Sequence, residues 1–291
     1  MSDIAHPSRT RAILKKYRLS PKKSLGKNFL IDANILKYIV RTAEIDAHTG
    51  VIEIGPGIGA LTEHLARAAE RVLAFEIDRR LIPVLQENLA AFPHVQIIHQ
   101  DVLEADLKQF AAACFERNQP LSVVANLPYY VTTPILIHVL ESGIFFRHMV
   151  VMVQKEVARR LTAQPGSKDY GSLSILVQYY TACRYMKLVP KTVFIPQPNV
   201  DSAIVKLSRR EAPPVRVDDE SFFFRLIRAS FAMRRKTLIN NLLAHFLPKE
   251  DKPALLDALA QVEVDGNRRA ESLSMAEFAR ISQALKQKLQ G

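Results

Sequence analysis

The sequence predicts an α/β protein with a doubly wound, Rossmann-like parallel sheet followed by a small all-helical C-terminal domain. Between residues 50 and 153, short apolar runs alternate with amphipathic stretches, which is typical of βαβ units. A glycine-rich segment follows the first of these runs, and only helical patterns remain after residue 213. The length of 291 residues, with 48% hydrophobic residues, is suited to two domains.

The predicted elements of the first domain follow one another in a regular order. Apolar runs predict strands at residues 51–54, 71–75, 95–99, 121–125 and 149–153. Helical patterns occupy residues 60–69 and 82–91, and Thr133-Pro134 opens another helix with proline in its first turn. Ligands of such sheets bind beyond the carboxyl ends of the strands, so the residues that follow each strand are the candidate site.

The rest of the chain is divided by a proline-containing break at residues 211–214. Before it, residues 175–180 and 203–207 are predicted as strands, with a proline-rich segment at 189–198 between them. After it, helices are predicted at residues 222–246, 252–261 and 274–289. The predicted organisation is a basic arm at 1–27, a sheet domain at 28–212 and a helical, RNA-binding domain at 213–291.

Several classes of protein are excluded by composition. No run of eighteen apolar residues is present, which argues against a membrane span, and the basic N-terminus lacks the apolar core of a secretory signal. Cys114 and Cys183 are too few for a disulfide framework or a four-cysteine zinc site, and no metal site is predicted. We therefore expect a cytoplasmic protein.

The net charge of +11 is concentrated near the N-terminus. No acidic residue lies among the eight cations of the arm, which are Arg9, Arg11, Lys15, Lys16, Arg18, Lys22, Lys23 and Lys27. Such a run attracts a polyanion, because each neutralised phosphate releases counterions. A solvated tail that keeps the protein soluble is an equally good interpretation of the charge alone.

The glycine-rich segment is a candidate nucleoside site. Gly55 and Gly57 follow the first strand and would let a ligand lie against the backbone. Glu76 ends the second strand, 21 residues after Gly55, where a carboxylate can accept hydrogen bonds from both ribose hydroxyls. With Ala60 the segment also satisfies the dinucleotide fingerprint, and a purely structural turn is the remaining alternative.

Asp101 follows the third strand and extends the same edge. Its carboxylate could accept a hydrogen bond from an adenine amino group. Taken alone, Asp101 is explained almost equally well by a structural role, in which its side chain caps the N-terminus of the next helix.

Residues 126–129, Asn-Leu-Pro-Tyr, follow the fourth strand and indicate the chemistry. The Asn126 oxygen and the Leu127 or Pro128 carbonyl could accept the two N–H bonds of an aromatic amine and orient its lone pair toward a methyl sulfonium. Pro128 fixes the direction of the backbone, and Tyr129 offers a face for an unstacked base. An ordinary loop is the alternative.

With these motifs the sequence resembles the S-adenosylmethionine-dependent ribosomal RNA adenine dimethylases, the bacterial KsgA type. Residues 53–62 and 126–129 resemble its glycine loop and catalytic motif, and residues 24–32 its N-terminal motif, with Lys27 where glutamine is usual. Further segments that resemble the family lie at 154–158, 168–174, 194–202 and 234–238. The resemblance runs from about residue 10 to residue 285.

The resemblance implies a class I methyltransferase that makes two adjacent N6,N6-dimethyladenosines in the loop of the 3′-terminal hairpin of 16S ribosomal RNA, within the immature small subunit. It implies a monomer with S-adenosylmethionine as cofactor. The implied cofactor-binding residues are Asn28, Leu30, Gly55, Gly57, Glu76, Asp101 and Asn126. The implied catalytic residues are Asn126, Pro128, Tyr129 and Phe194; Phe194 is the candidate second stacking face, with a core aromatic as its alternative.

Two alternatives to this function remain open. The related dimethylases of large-subunit RNA, which confer macrolide resistance, look shorter and usually carry isoleucine at the position of Leu127. A non-catalytic assembly factor for the small subunit would explain the basic charge but would not require an intact cofactor edge. A DNA adenine methylase or a nicotinamide oxidoreductase fits the motifs less well.

Overall fold

The computed structural model describes residues 3–19 and 28–290. The chain divides into two compact units, the first formed by Met1–Ala158 with Ala182–Arg209 and the second by Arg159–Thr181 with Arg210–Gly291. The sequence assigns residues 159–181 to the sheet domain, whereas in the structure they belong to the second unit. In the described residues no helix is both long enough and apolar enough to cross a membrane.

The first unit contains a seven-stranded sheet and a two-stranded one. The strands are β1 (Phe29–Leu30), β2 (Gly50–Ile54), β3 (Arg71–Glu76), β4 (Val95–His99), β5 (Leu121–Asn126), β6 (His148–Gln154), β7 (Thr181–Val189), β8 (Phe194–Ile195) and β9 (Ser202–Arg209). The larger sheet has the order β4-β3-β2-β5-β6-β9-β7, and β1 pairs with β8.

The helices alternate with these strands in the first unit and dominate the second. They are α1 (Pro7–Lys16), α2 (Ala33–Thr42), α3 (Ala60–Ala66), α4 (Ile82–Asn88), α5 (Leu107–Cys114), α6 (Thr132–Glu141), α7 (Lys155–Thr162), α8 (Ser172–Tyr180), α9 (Glu220–Ser230), α10 (Leu238–His245), α11 (Lys252–Gln261) and α12 (Met275–Gln290).

The predicted doubly wound sheet is confirmed. Strand β2 pairs in parallel with both β3 and β5, with Glu53 opposite Ala74 and Val124, whereas β9 runs antiparallel to β6. The strand order reverses between β2 and β5, which creates a crevice beyond their carboxyl ends. The face of the sheet that carries Glu53 also has a row of fully buried apolar side chains, which includes Val51, Val72, Val124, Val150 and Ile204.

The described part of the basic arm is packed against the first unit. Ile4 is fully buried, and its backbone N–H donates to the Glu63 carboxylate at 2.8 Å. Lys16 Nζ lies 2.5 Å from a Glu87 carboxylate oxygen, while Lys15 is exposed. Residues 3–19 are therefore not a solvated tail. Lys22, Lys23 and Lys27 lie outside the described residues.

The predicted strand at residues 175–180 is wrong, because this segment belongs to helix α8. The Ser174 hydroxyl accepts from the Gly171 N–H at 3.1 Å, which satisfies a backbone group at the start of the helix, and it donates to the Arg160 carbonyl of α7 at 2.6 Å. A short apolar run fits a buried helix as well as a strand, and here the helix buries Ile175, Leu176 and Tyr179.

The single helix predicted at residues 222–246 is also wrong, because α9 and α10 are separated by a turn. Thr237 caps α10 by accepting from the Asn240 N–H. The buried amide of Asn241 donates to the carbonyls of Ser230 and Met233, at 2.8 and 3.1 Å. These bonds replace the backbone hydrogen bonds that a continuous helix would make.

Candidate functional site

A pocket in the first unit lies beyond the carboxyl ends of β2, β3 and β5, at the reversal of the strand order. It brings together every site residue expected from the sequence, namely Asn28, Leu30, Gly55, Gly57, Glu76, Asp101, Asn126, Pro128, Tyr129 and Phe194. These residues come from loops and strand ends that are far apart in the chain. Their convergence makes this pocket the candidate active site.

The glycine loop lines one wall of the pocket. Gly55 and Gly57 have φ angles of +73° and +62°, which side chains with a Cβ adopt only with strain. A Cβ on Gly57 would also lie 3.4 Å from the Phe29 ring. The loop therefore keeps its shape, and its close approach to a ligand, only with glycine at these positions.

Glu76 is 1% exposed and is held in place by the backbone. One carboxylate oxygen accepts from the Gly57 N–H at 3.2 Å, and the other from the Asp78 N–H at 2.8 Å. Each carboxylate oxygen can accept a second hydrogen bond, so the side chain can still bind a pair of hydroxyls. Glu76 thus ties the glycine loop to the end of β3.

Glu53 lies on β2 and is 1% exposed, and neither of its carboxyl oxygens has a hydrogen-bond partner among the described residues. Burial raises its pKa to about 8. The carboxyl group is therefore mostly neutral at pH 7. It adds little negative charge beside Glu76, whose carboxylate faces the pocket.

Asp101 follows β4 and caps the short 3-10 turn Val102–Glu104 by accepting from the Leu103 N–H at 2.9 Å. The capping role that the sequence left open is thus observed. Asp101 also lines the pocket, and capping engages only one of its carboxylate oxygens. Contact with an adenine amino group stays a prediction.

Asn126 ends β5, and its side-chain amide donates to the Asn28 carbonyl at 3.4 Å. This bond uses the amide nitrogen and leaves the side-chain oxygen as a possible acceptor for a ligand in the pocket. The Pro128 carbonyl already accepts from the Val131 N–H at 3.2 Å and from the Thr132 hydroxyl at 3.0 Å. The geometry therefore favours Leu127, of the two carbonyls considered from sequence, as the second acceptor.

Tyr129 lines the pocket with its ring, and its hydroxyl lies 2.8 Å from the Ser202 hydroxyl at the start of β9. Burial raises the pKa of Tyr129 above its usual value. The hydroxyl thus stays protonated at neutral pH and is unsuited to act as a base.

Phe194 lies on β8 and lines the pocket, but its side chain is only 4% exposed and packs within the core of the first unit. This burial agrees with the alternative interpretation, in which Phe194 is an aromatic residue of the core. A stacking role for Phe194 stays a prediction.

Among the pocket residues that the sequence reasoning did not single out, two have exposed side chains. Tyr130 is 54% exposed and Ile77 is 51% exposed, and both line the pocket. Their position was the available signal, because each directly follows a residue already chosen, Tyr129 and Glu76. Both offer apolar surface that a planar ring can contact.

A family profile, related sequences and solved structures all match this chain over most of its length. The profile of a family described as ribosomal RNA adenine dimethylase matches residues 18–287. A protein of Geobacillus thermodenitrificans called ribosomal RNA small subunit methyltransferase A is 59% identical over 285 residues, which is 97% of each chain. The protein of that name in Bacillus pumilus is 57% identical over 289 residues, covering 99% of each chain.

Two solved structures share the fold over most of the chain. A dimethyladenosine transferase from Plasmodium falciparum aligns with a TM-score of 0.74 and 25% identity, covering 89% of this chain and 98% of that one. The 23S rRNA methyltransferase ErmE aligns with a TM-score of 0.65 and 27% identity, covering 89% of this chain and all of that one.

Proposed function

Because the chain belongs to the ribosomal RNA adenine dimethylase family, we propose that it dimethylates the N6 atoms of two adjacent adenosines in the loop of the 3′-terminal hairpin of 16S ribosomal RNA. It is an S-adenosylmethionine-dependent rRNA methyltransferase with a class I methyltransferase fold. One observation carries the proposal: the glycine loop and the Asn126–Tyr129 motif line the same pocket.

The residues of the pocket fit S-adenosylmethionine, which supplies an electrophilic methyl group on a sulfonium. The Gly55–Gly57 backbone leaves room for the cofactor to lie against the loop, and Glu76 is oriented to accept the ribose hydroxyls. Ile77 offers an exposed apolar surface for the adenine ring, and Asp101 an acceptor for its amino group. Asn28 and Leu30 complete the cofactor side of the pocket.

The target amine is oriented by two acceptors. Its lone pair is conjugated with the adenine ring and is a poor nucleophile. When the Asn126 side-chain oxygen and the Leu127 carbonyl accept its two N–H bonds, the nitrogen is drawn toward tetrahedral geometry and its lone pair points at the methyl group. S-adenosylmethionine would supply the methyl group, its S–C bond breaking to leave a neutral thioether as the N–C bond forms. No charged base is needed for the attack, because the methylated nitrogen would lose its proton to solvent afterwards.

The target adenine is held by aromatic rings. Tyr129 supplies one stacking face, since its hydroxyl is engaged with Ser202 and its ring lines the pocket. Phe194 remains the candidate for the second face, with the exposed ring of Tyr130 as the competing residue. Stacking offsets part of the cost of taking the base out of its loop.

The substrate is ribosomal RNA, and we place it within the immature small subunit, bound by a monomer in the cytoplasm. The relatives that are 57–59% identical over nearly the whole chain are small-subunit enzymes, which favours this substrate over large-subunit RNA. The basic arm and the helical second unit supply further contacts to RNA.

The proposal is tested by incubating the protein with radiolabelled S-adenosylmethionine and three substrates: undermodified small subunits, fully modified small subunits and large subunits. We expect label only in the first, as N6,N6-dimethyladenosine, and none with Asn126→Ala. Labelling of large subunits would favour the macrolide-resistance activity. Binding of undermodified subunits without any transfer would favour the assembly factor.

A further inference from the structure

The outer face of helix α2 carries positive charge without any acid. Lys37 and Arg41 are exposed and lie one turn apart, with Tyr38 beside them, and α2 contains no aspartate or glutamate. The opposite face of the same helix contributes Leu36 and Ile39 to the lining of the pocket. One helix thus joins the active-site wall to a basic outer surface.

Strand β7 adds to this surface. It also contains no acidic residue, and its exposed Lys187 lies over the Tyr38 ring, with the ammonium 5.0 Å from the ring centroid. Tyr185 lies on the same face of the strand and is 40% exposed. Five residues after β7 ends, the chain reaches Phe194 in the pocket lining. We call Lys37, Tyr38, Arg41 and Lys187 the Tyr38 patch.

Tyr38 brings two of these cations together. The Arg41 guanidinium lies 5.4 Å from the centroid of the same ring that Lys187 covers. The ring itself is fixed, because the Tyr38 hydroxyl donates to the Met186 carbonyl at 3.4 Å. Cation–π contact holds two flexible side chains close together without neutralising them.

The neighbouring carboxylates do not neutralise the patch. Among the described residues, none lies within ion-pair distance of Lys37, Arg41 or Lys187. Asp32 caps α2, and Glu44 is paired with Lys206 at 2.6 Å. The patch therefore presents three positive charges to the outside.

We propose that the Tyr38 patch binds the phosphate backbone of the RNA substrate, outside the nucleotides that enter the pocket. Lysine and arginine at an aromatic surface are suited to phosphates, and a chain of linked phosphates can contact several cations at once. Helix α2, which carries three of the four patch residues, also lines the pocket through Leu36 and Ile39, so one RNA strand can reach both. This inference rests on the proposed function for the identity of the RNA.

The test is direct binding of purified 16S ribosomal RNA across a range of salt concentrations, measured by filter binding. The double variant Arg41→Gln/Lys187→Gln is compared with Lys108→Gln/Arg117→Gln, which removes two exposed positive charges from the α5 region of the same unit. We expect the patch variant to bind about five- to tenfold more weakly at moderate salt, with a slope of log affinity against log salt reduced by about 1–2. The control should change little.

Binding of S-adenosylmethionine and thermal unfolding midpoints are measured for both variants. Both should match the wild type, because none of the four residues lines the pocket. The single variants Arg41→Gln and Lys187→Gln should each show about half the change in slope. Equal slopes for the patch variant and the control would overturn the proposal. Because binding is measured without methyl transfer, this outcome is distinct from failure of wild-type methylation, which would contradict the proposed function instead.

Discussion

At the scale of single residues, Tyr129 separates two roles that an aromatic hydroxyl can have. Its ring lines the pocket, whereas its hydroxyl is bonded to Ser202 and has a pKa raised by burial. Both observations favour stacking over proton transfer. Asn126 differs, because its amide is fixed by the Asn28 carbonyl and only its oxygen remains for the substrate.

We predict that Tyr129→Phe retains most activity, because the stacking face is kept. Tyr129→Ala should lose roughly ten- to hundredfold in rate, since base stacking contributes on the order of 1–3 kcal/mol. Single-turnover methylation of undermodified small subunits measures both, with Asn126→Ala as the severely impaired control. A Phe variant as slow as the Ala variant would mean that the hydroxyl acts in the chemistry.

Glu76 gives a second prediction at this scale, for the cofactor. Glu76→Ala should weaken S-adenosylmethionine binding by about 1.5–3 kcal/mol, the range for hydrogen bonds to a charged group. Isothermal calorimetry measures the change. Glu87→Ala is the matched control, because this exposed carboxylate bonds Lys16 and is outside the pocket lining. Equal affinities for the two variants would exclude Glu76 as the ribose ligand.

At the scale of elements, the end of α2 shows how a strained residue is stabilised. Glu44 has a φ of +53° just after the helix, where glycine is usual. Its carboxylate lies 2.6 Å from Lys206 Nζ and 2.9 Å from Arg147, and these contacts connect the helix to β9 and to the start of β6. Hydrogen bonding to Lys206 and then to His148 lowers the pKa of Glu44 to about 2.

We predict that Glu44→Gln lowers the free energy of unfolding at pH 7 by about 1 kcal/mol, because solvent screens these partly exposed ion pairs. The folded pKa lies below the usual value near 4.5, so the contribution is present above pH 4.5 and is lost as pH falls toward 2. Denaturant unfolding of wild type and variant from pH 7 to pH 2 should show converging stabilities. A constant difference across that range would contradict the ion-pair explanation.

At the scale of the whole molecule, the positive charges behind the net charge of +11 lie on helices and strands of the fold as well as on the basic arm. The described part of the arm packs through Ile4, and Lys16 is paired with Glu87. Only some of the arm's cations are therefore available to RNA. Lys15 is one of them, since no described carboxylate lies within ion-pair distance of it.

We predict that neutralising Lys15, Lys22 and Lys23 to glutamine lowers RNA affinity and reduces its salt dependence by up to about 2–3 in slope. Adding Lys16→Gln should change the slope little further, because its ammonium already faces Glu87. Filter binding over a salt series measures the slopes, and cofactor affinity should stay constant. A slope unchanged by the triple variant would mean that these three lysines do not contact the RNA.

The pattern of residues was sufficient for the sheet class, the glycine loop and the polar residues that follow the strands, whereas Asn28, Leu30 and Phe194 were implied by the family resemblance. The reason is local: a strand is followed by a turn, and carboxyl ends of parallel strands share one edge, so Gly55, Glu76 and Asn126 must lie near one another. The family resemblance added the cofactor and the substrate, and the family assignment is confirmed by the match over residues 18–287.

Tertiary structure decided what local pattern leaves ambiguous. The apolar run at residues 175–180 became a helix, because packing rather than periodicity chooses between a buried helix and a buried strand. Packing also buried Phe194 and left Tyr130 exposed, although both line the pocket. The proposal of Leu127 rather than Pro128 as the second acceptor depends on which carbonyl already accepts hydrogen bonds, and the Tyr38 patch depends on two elements separated by more than a hundred residues. These contacts form only when segments that are far apart in the chain pack together. The distances between their atoms are not specified by the spacing of residues along the sequence.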